Sequence, residues 1–141
     1  MNVKGKTVIY FKRRFTGYAF CVCIMLLLQA CEFNINTLEV EWCTPANGAV
    51  GVNKETDVEV QFSSDVNHSD VEEMFILECA EKRISGKFSW VSGKRFVFTP
   101  DTVLEKNGRY MITLLREIRD KEGNTMAYSF LSDFYIGDDF V

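Results

Sequence analysis

The chain has 141 residues, 47% of them hydrophobic and 13% aromatic, with only two prolines; that is too apolar for a disordered chain and leaves no low-complexity tract to act as a long linker. Its formal charge of −4 hides an asymmetry. Residues 1–30 hold five basic side chains (Lys4, Lys6, Lys12, Arg13, Arg14) and no acidic one, leaving eleven basic against twenty acidic residues, a net −9, for the rest. A surface of that sign repels phosphate backbones, and no basic patch is interleaved with aromatics, so nucleic acid is excluded as a partner.

In chain order, the first element is a targeting segment. Residues 4–14 are basic and residues 19–28 form a short apolar stretch, the pattern a secretion channel accepts. The stretch ends in Leu28-Gln29-Ala30-Cys31. This ending resembles the lipobox of bacterial lipoproteins: Leu28 matches the branched apolar residue three before the cysteine, and Ala30 matches the small residue directly before it. Gln29 departs from the small residue, serine or threonine usual there. The resemblance implies a signal peptide over residues 1–30, cleavage after Ala30, and acyl chains (diacylglycerol on the Cys31 thiol, palmitate among the acids used) holding the protein to a membrane. Two or three acyl chains at ~0.8 kcal/mol per buried methylene make a stable anchor. Two other readings stay open. One is an uncleaved span, although the uncharged run from Phe15 to Cys31 has seventeen residues, at the lower limit of the ~17–25 required. The other is ordinary secretion with cleavage elsewhere.

Residues 31–37 read as a lipid-proximal tether, residues 38–137 as one domain of the length at which a single core is self-sufficient, and residues 138–141 as a C-terminal tail. Within the domain, short runs rich in Val, Ile, Phe and Tyr alternate with Gly, Asn, Asp and Ser clusters, the spacing expected of an all-β sandwich. A strand is predicted over residues 39–43. Residues 57–63 alternate strictly and place Val58, Val60 and Phe62 on one buried face. A single helical turn is predicted over residues 69–74, capped by Ser69 with Glu72 three positions on. Strands follow over residues 74–79, over 87–91 with Trp90 as a core ring, and over 95–100, where Pro100 ends the ladder because it has no N–H to donate. Residues 110–114 turn Tyr110, Ile112 and Leu114 inward, and a last strand lies within 127–136. That makes about seven strands, and no internal repeat is present.

Several segments, in order, resemble the bacterial Ig-like domain first recognised in S-layer proteins (the SbsA-type, or Big_5, domain). They are residues 44–52 (TPANGAVGV), residues 56–63 (TDVEVQFS), Phe98-Thr99-Pro100 with Leu104 and Tyr110, and Asp120-Lys121-Glu122-Gly123-Asn124. The resemblance implies an Ig-like antiparallel sandwich. Gly48 and Gly51 suit backbone angles that other residues resist, and Gly123 and Asn124 suit a left-handed turn position. Tyr110, after a corner at residues 104–108, resembles a tyrosine corner whose hydroxyl bonds backbone upstream.

No catalytic constellation accompanies this pattern. The only histidine, His68, reads as a solvated loop residue with no second histidine or nearby cysteine for a metal site. Asp65, Asp70, Glu72 and Glu73 lack the frame of a calcium loop and read as a solvated face, and residues 120–124 read as a β-turn. No metal or other cofactor is expected. With Cys21 and Cys23 removed and Cys31 lipidated, Cys43 and Cys79 remain, either as a disulfide in an oxidising compartment or as two buried thiols.

These features point to a membrane-anchored lipoprotein of the bacterial envelope, at the outer membrane or cell surface rather than the inner membrane. Its non-catalytic Ig-like module would serve in interaction, adhesion or spacing. The expected partners are the membrane, through lipid on Cys31, and an envelope or extracellular protein or polysaccharide. The alternative is an accessory or N-terminal module of a larger polysaccharide-processing or transport system, which an open reading frame beyond Val141 would mark.

Overall fold

The computed structural model describes residues 36–137. Nine strands and one short helix follow in order: β1 (Val40–Thr44), β2 (Ala49–Val52), β3 (Val58–Phe62), α1 (His68–Met74), β4 (Phe75–Cys79), β5 (Lys82–Arg83), β6 (Gly86–Ser92), β7 (Arg95–Pro100), β8 (Arg109–Leu114) and β9 (Phe130–Ile136). They form two sheets, one in the order β1-β3-β7-β6 and the other β2-β9-β8-β4-β5. The result is an Ig-like β-sandwich.

Period-two alternation explains which faces meet. In β3, Val58, Val60 and Phe62 are fully buried, and the register Val58↔Phe98 and Val60↔Phe96 places the apolar residues of β7 beside them. The opposing sheet supplies Leu77 from β4, Tyr110, Ile112 and Leu114 from β8, and Phe134 and Ile136 from β9. Phe75 reaches between the sheets, with its ring 4.7 Å from that of Phe98 and 5.5 Å from those of Phe88 and Phe96. Each such buried ring contributes about 1.5–3 kcal/mol relative to an exposed one.

Two strands escaped the sequence pattern. β2 has only Ala49 and Val52 partly buried, with Val50 77% exposed, so it carries no alternating stripe. It pairs with β9 in parallel, which makes the second sheet mixed rather than purely antiparallel. The chain bends into and through β2 at Gly48 (φ +76°) and Gly51 (φ +69°). β5 is two residues long and pairs with β4 across a tight turn in which Ala80 and Glu81 both have positive φ.

The helix also differs from expectation. It begins at His68 with Asn67 as its N-cap, and Ser69, the expected cap, lies inside it and donates to the Asn67 side-chain oxygen at 2.9 Å. Trp90 is not a core ring. It is half-buried at the core margin, 5.4 Å from the Phe96 ring.

Candidate functional site

Cys31, the lipid-attachment candidate, lies outside the described residues. Cys43 and Cys79, the candidate bridge, are both free thiols. Cys43 sits on β1 opposite Val60 in one sheet and Cys79 on β4 opposite Tyr110 in the other, so the strands that carry them belong to different layers. Burial pushes the Cys43 thiol up to about 12, since a thiolate there would be desolvated.

Tyr110 is fully buried at the start of β8, and its hydroxyl accepts the backbone N–H of Glu105 at 2.7 Å. Gly108 makes room for the ring, because a side chain at that position would come within 2.7 Å of it. Burial raises the Tyr110 hydroxyl above its ordinary value. The tyrosine forms part of the wall of a cavity of about 410 Å³ between the β4–β5–β6 corner and residues 102–105. A second hollow of about 280 Å³, lined by residues 54–57 and 99–103, adjoins it through Thr102 and Val103.

At the other end of the sheets the polar residues are locked together. His68, read from sequence as solvated, instead stacks on Trp90 with ring centroids 3.5 Å apart, and the Trp90 indole N–H donates to Glu72 at 2.9 Å. The His68 Nε2 is buried without a hydrogen-bond partner. Asp70, taken with its acidic neighbours as a solvated face, is buried and gripped by Arg119 through Nε at 2.8 Å and a terminal nitrogen at 3.0 Å. The Arg119 hydrogen bond holds the Asp70 carboxyl below the ordinary carboxylate range. These two residues are 49 positions apart, and no local pattern could have paired them.

Residues 120–124 fold around the Asp120 side chain. It accepts the backbone N–H groups of Glu122 (2.9 Å) and Asn124 (2.8 Å), the Asn124 amide (2.9 Å) and the Ser64 hydroxyl (3.3 Å). Burial alone would raise this carboxyl, but the bonds from Asn124, Glu122 and Ser64 outweigh it and lower it. Gly123 takes the left-handed position (φ +89°), whereas Asn124 does not and serves as a hydrogen-bond donor. Among the described residues no cluster of His, Cys, Asp and Glu is placed to hold a metal ion, and no helix is long and apolar enough to cross a membrane.

The outer faces of both sheets carry ordered cross-strand groups. On one, Arg95 lies over the Trp42 ring at 5.2 Å and pairs with Glu59. On the other, Arg109 pairs with Asp133 at 2.7 Å and lies 5.8 Å from the Tyr135 ring centre.

The family model for the bacterial Ig-like domain (Big_5) matches residues 34–134. The chain belongs to the bacterial Ig-like domain family. The bacterial Ig-like domain is a non-catalytic module. Among solved structures, the Ig-like domain is similar to an L,D-transpeptidase from Mycobacterium smegmatis (TM-score 0.53, 22% identity, covering 72% of this chain and 41% of that one). It is similar to the L,D-transpeptidase LdtMt1 in complex with imipenem (0.54, 24%, 70% and 39%). It is also similar to the N-terminal part of the bacterial S-layer protein SbsC (0.55, 16%, 89% and 30%). At these identities the likeness is one of fold. The chain spans about two fifths of the length of the two transpeptidases and under a third of the SbsC chain. No curated protein matches it.

Proposed function

We propose that the protein is a lipid-anchored, non-catalytic envelope module, tethered through Cys31, whose Ig-like domain serves in interaction, adhesion or spacing at the outer membrane or cell surface. The observation that carries this reading is the order of two features in one chain: a lipobox ending at Cys31, then the Ig-like family match from residue 34. A neighbour of the same fold, SbsC, is a surface-layer protein, which supports an envelope location. The mechanism is binding rather than turnover. A rigid sandwich offers loops and sheet edges, and nothing in it pairs a nucleophile with a base.

A second reading, an accessory module of a larger polysaccharide-processing or transport system, draws on the L,D-transpeptidase neighbours, of whose chains this fold makes up about two fifths. In-cell crosslinking from the domain, with and without disruption of the outer membrane, tests the leading reading. Crosslinks to an envelope or extracellular component are expected. Absence of any such crosslink on intact cells overturns it.

A further inference from the structure

The cavity beside Tyr110 lies at the end of the sheets opposite to the one where the chain enters the domain. Leu38 bonds Thr125 and Val40 pairs with Phe62 at the entry end, whereas Cys79, Pro100 and Tyr110 mark the other.

Three features of the cavity bear on what it takes. The first is charge. Several cations of this acidic domain are committed: Arg95 to Glu59, Arg109 to Asp133, Arg119 to Asp70, and Lys94 to Glu41. Lys82 and Arg83, on the cavity rim, have no ion-pair partner among the described residues, although Arg83 stands opposite Glu78 in the ladder. Lys82 stands opposite Cys79, which also lines the cavity. The carboxylate of Glu105 is the one acidic side chain in the lining.

The second is the mixture of surfaces beneath those cations. Ile84, Val103 and Leu104 give an apolar floor, and Ser85 and Thr102 add hydroxyls. Apolar patches with a few converging polar groups suit a ring that has both C–H faces and hydroxyl edges. The third concerns the strand edge. β5 is only two residues long, and the chain then leaves for the other sheet as β6, so it offers no length of edge on which a peptide could add as a strand.

We propose that this cavity is a binding site for a carboxylated saccharide, its carboxylate held by Lys82 and Arg83 and its ring seated on Ile84 and Val103. The proposal rests on the reading of the protein as an envelope interaction module and names the ligand class and place of that interaction. The acidic remainder of the domain disfavours loose adsorption of polyanions, so retention depends on Lys82, Arg83 and the fit of the bowl.

The test is titration of the purified full-length protein in detergent with trigalacturonate, its uncharged counterpart trigalactose, and triglutamate. Trigalacturonate is expected to bind, with the other two at least about tenfold weaker, since each lacks either the charge or the ring. Lys82→Ala and Arg83→Ala, singly and together, or filling the bowl with Thr102→Trp, should weaken trigalacturonate, the double replacement by about tenfold or more, while Lys87→Ala, which removes one charge from exposed β6 outside the cavity as each single replacement does within it, leaves binding unchanged. Circular dichroism of each variant verifies folding. No binding of trigalacturonate overturns the proposal, as does equal loss in Lys87→Ala or equal affinity for triglutamate. If trigalacturonate fails while crosslinking on cells still captures an envelope component, only the site assignment falls and the interaction-module reading stands.

Discussion

The backbone N–H of Glu105 donates to the Tyr110 hydroxyl at 2.7 Å, tying the loop between β7 and β8 to a side chain that is 1% exposed. One bond thus fixes the loop that forms one wall of the proposed saccharide site. Tyr110→Phe removes the acceptor and keeps the ring. It should lower stability by about 1 kcal/mol, the usual cost of leaving such a donor unmet. A urea-unfolding midpoint equal to that of the parent protein would show that the bond contributes nothing.

Acid should weaken the fold through Asp70 and Asp120. Both carboxyls ionise below the ordinary range: Asp70 chiefly because of the Arg119 hydrogen bond, and Asp120 because bonds from Asn124, Glu122 and Ser64 outweigh its burial. A group whose value is lowered by folding contributes stability that is complete above its unfolded value, about 3.9, and lost as pH falls through the folded one. The unfolding midpoint is therefore expected to drop below about pH 4. The drop should be shallower in Asp70→Asn, which at neutral pH costs about 1 kcal/mol, the Arg119 side chain being 56% exposed and screened by solvent. An identical acid slope in that variant would exclude Asp70 as a contributor.

Thiol chemistry separates the two cysteines from a bridge. With both free and Cys43 raised to about 12 by burial, the mature domain should titrate as two thiols once denatured without reductant. In the native state Cys43 should react far more slowly than in the denatured chain, because the thiolate is the attacking species. Finding no free thiol under denaturing, non-reducing conditions would mean a disulfide instead.

Glycine positions should divide by cause. A Cβ at Gly86 would overlap the Phe98 ring and lie 2.5 Å from the Thr99 carbonyl oxygen, at the corner where the chain passes from β5 into β6. Gly86→Ala should cost about 2–3 kcal/mol through overpacking. Gly48 has open space around it but φ +76°, so Gly48→Ala should cost about 1 kcal/mol from backbone strain alone. Thermal melts of the two variants give the comparison, and a smaller loss at Gly86 would contradict this assignment.

Lipid attachment has a direct assay. Cys31→Ser should abolish incorporation of labelled fatty acid and release the protein from membranes, because the acyl chains have no other thiol at the lipobox position. Persistent labelling of that variant would refute the lipobox assignment.

The strands that carry the core were legible wherever two side chains in alternation share one buried face. Val58, Val60 and Phe62 in β3, Phe96 and Phe98 in β7, and Tyr110, Ile112 and Leu114 in β8 all lie in the core. β2 was not legible, because half of its residues are exposed and its stability comes from parallel pairing to β9, more than eighty residues away in sequence. His68 read as solvated because its local neighbours, Asn67 and Ser69, are polar. The Trp90 ring that covers it arrives from β6, more than twenty residues on.

By itself, the sequence determined the sandwich and the bulk of its core, because alternation and turn residues are local signals that act over a few residues. Only the tertiary structure decided that Asp70 is held by Arg119, that Cys43 and Cys79 stand in separate sheets, and that Lys82 and Arg83 stay unpaired beside a cavity. Each of those depends on which distant segments meet, and that is set by how two sheets close over a shared core.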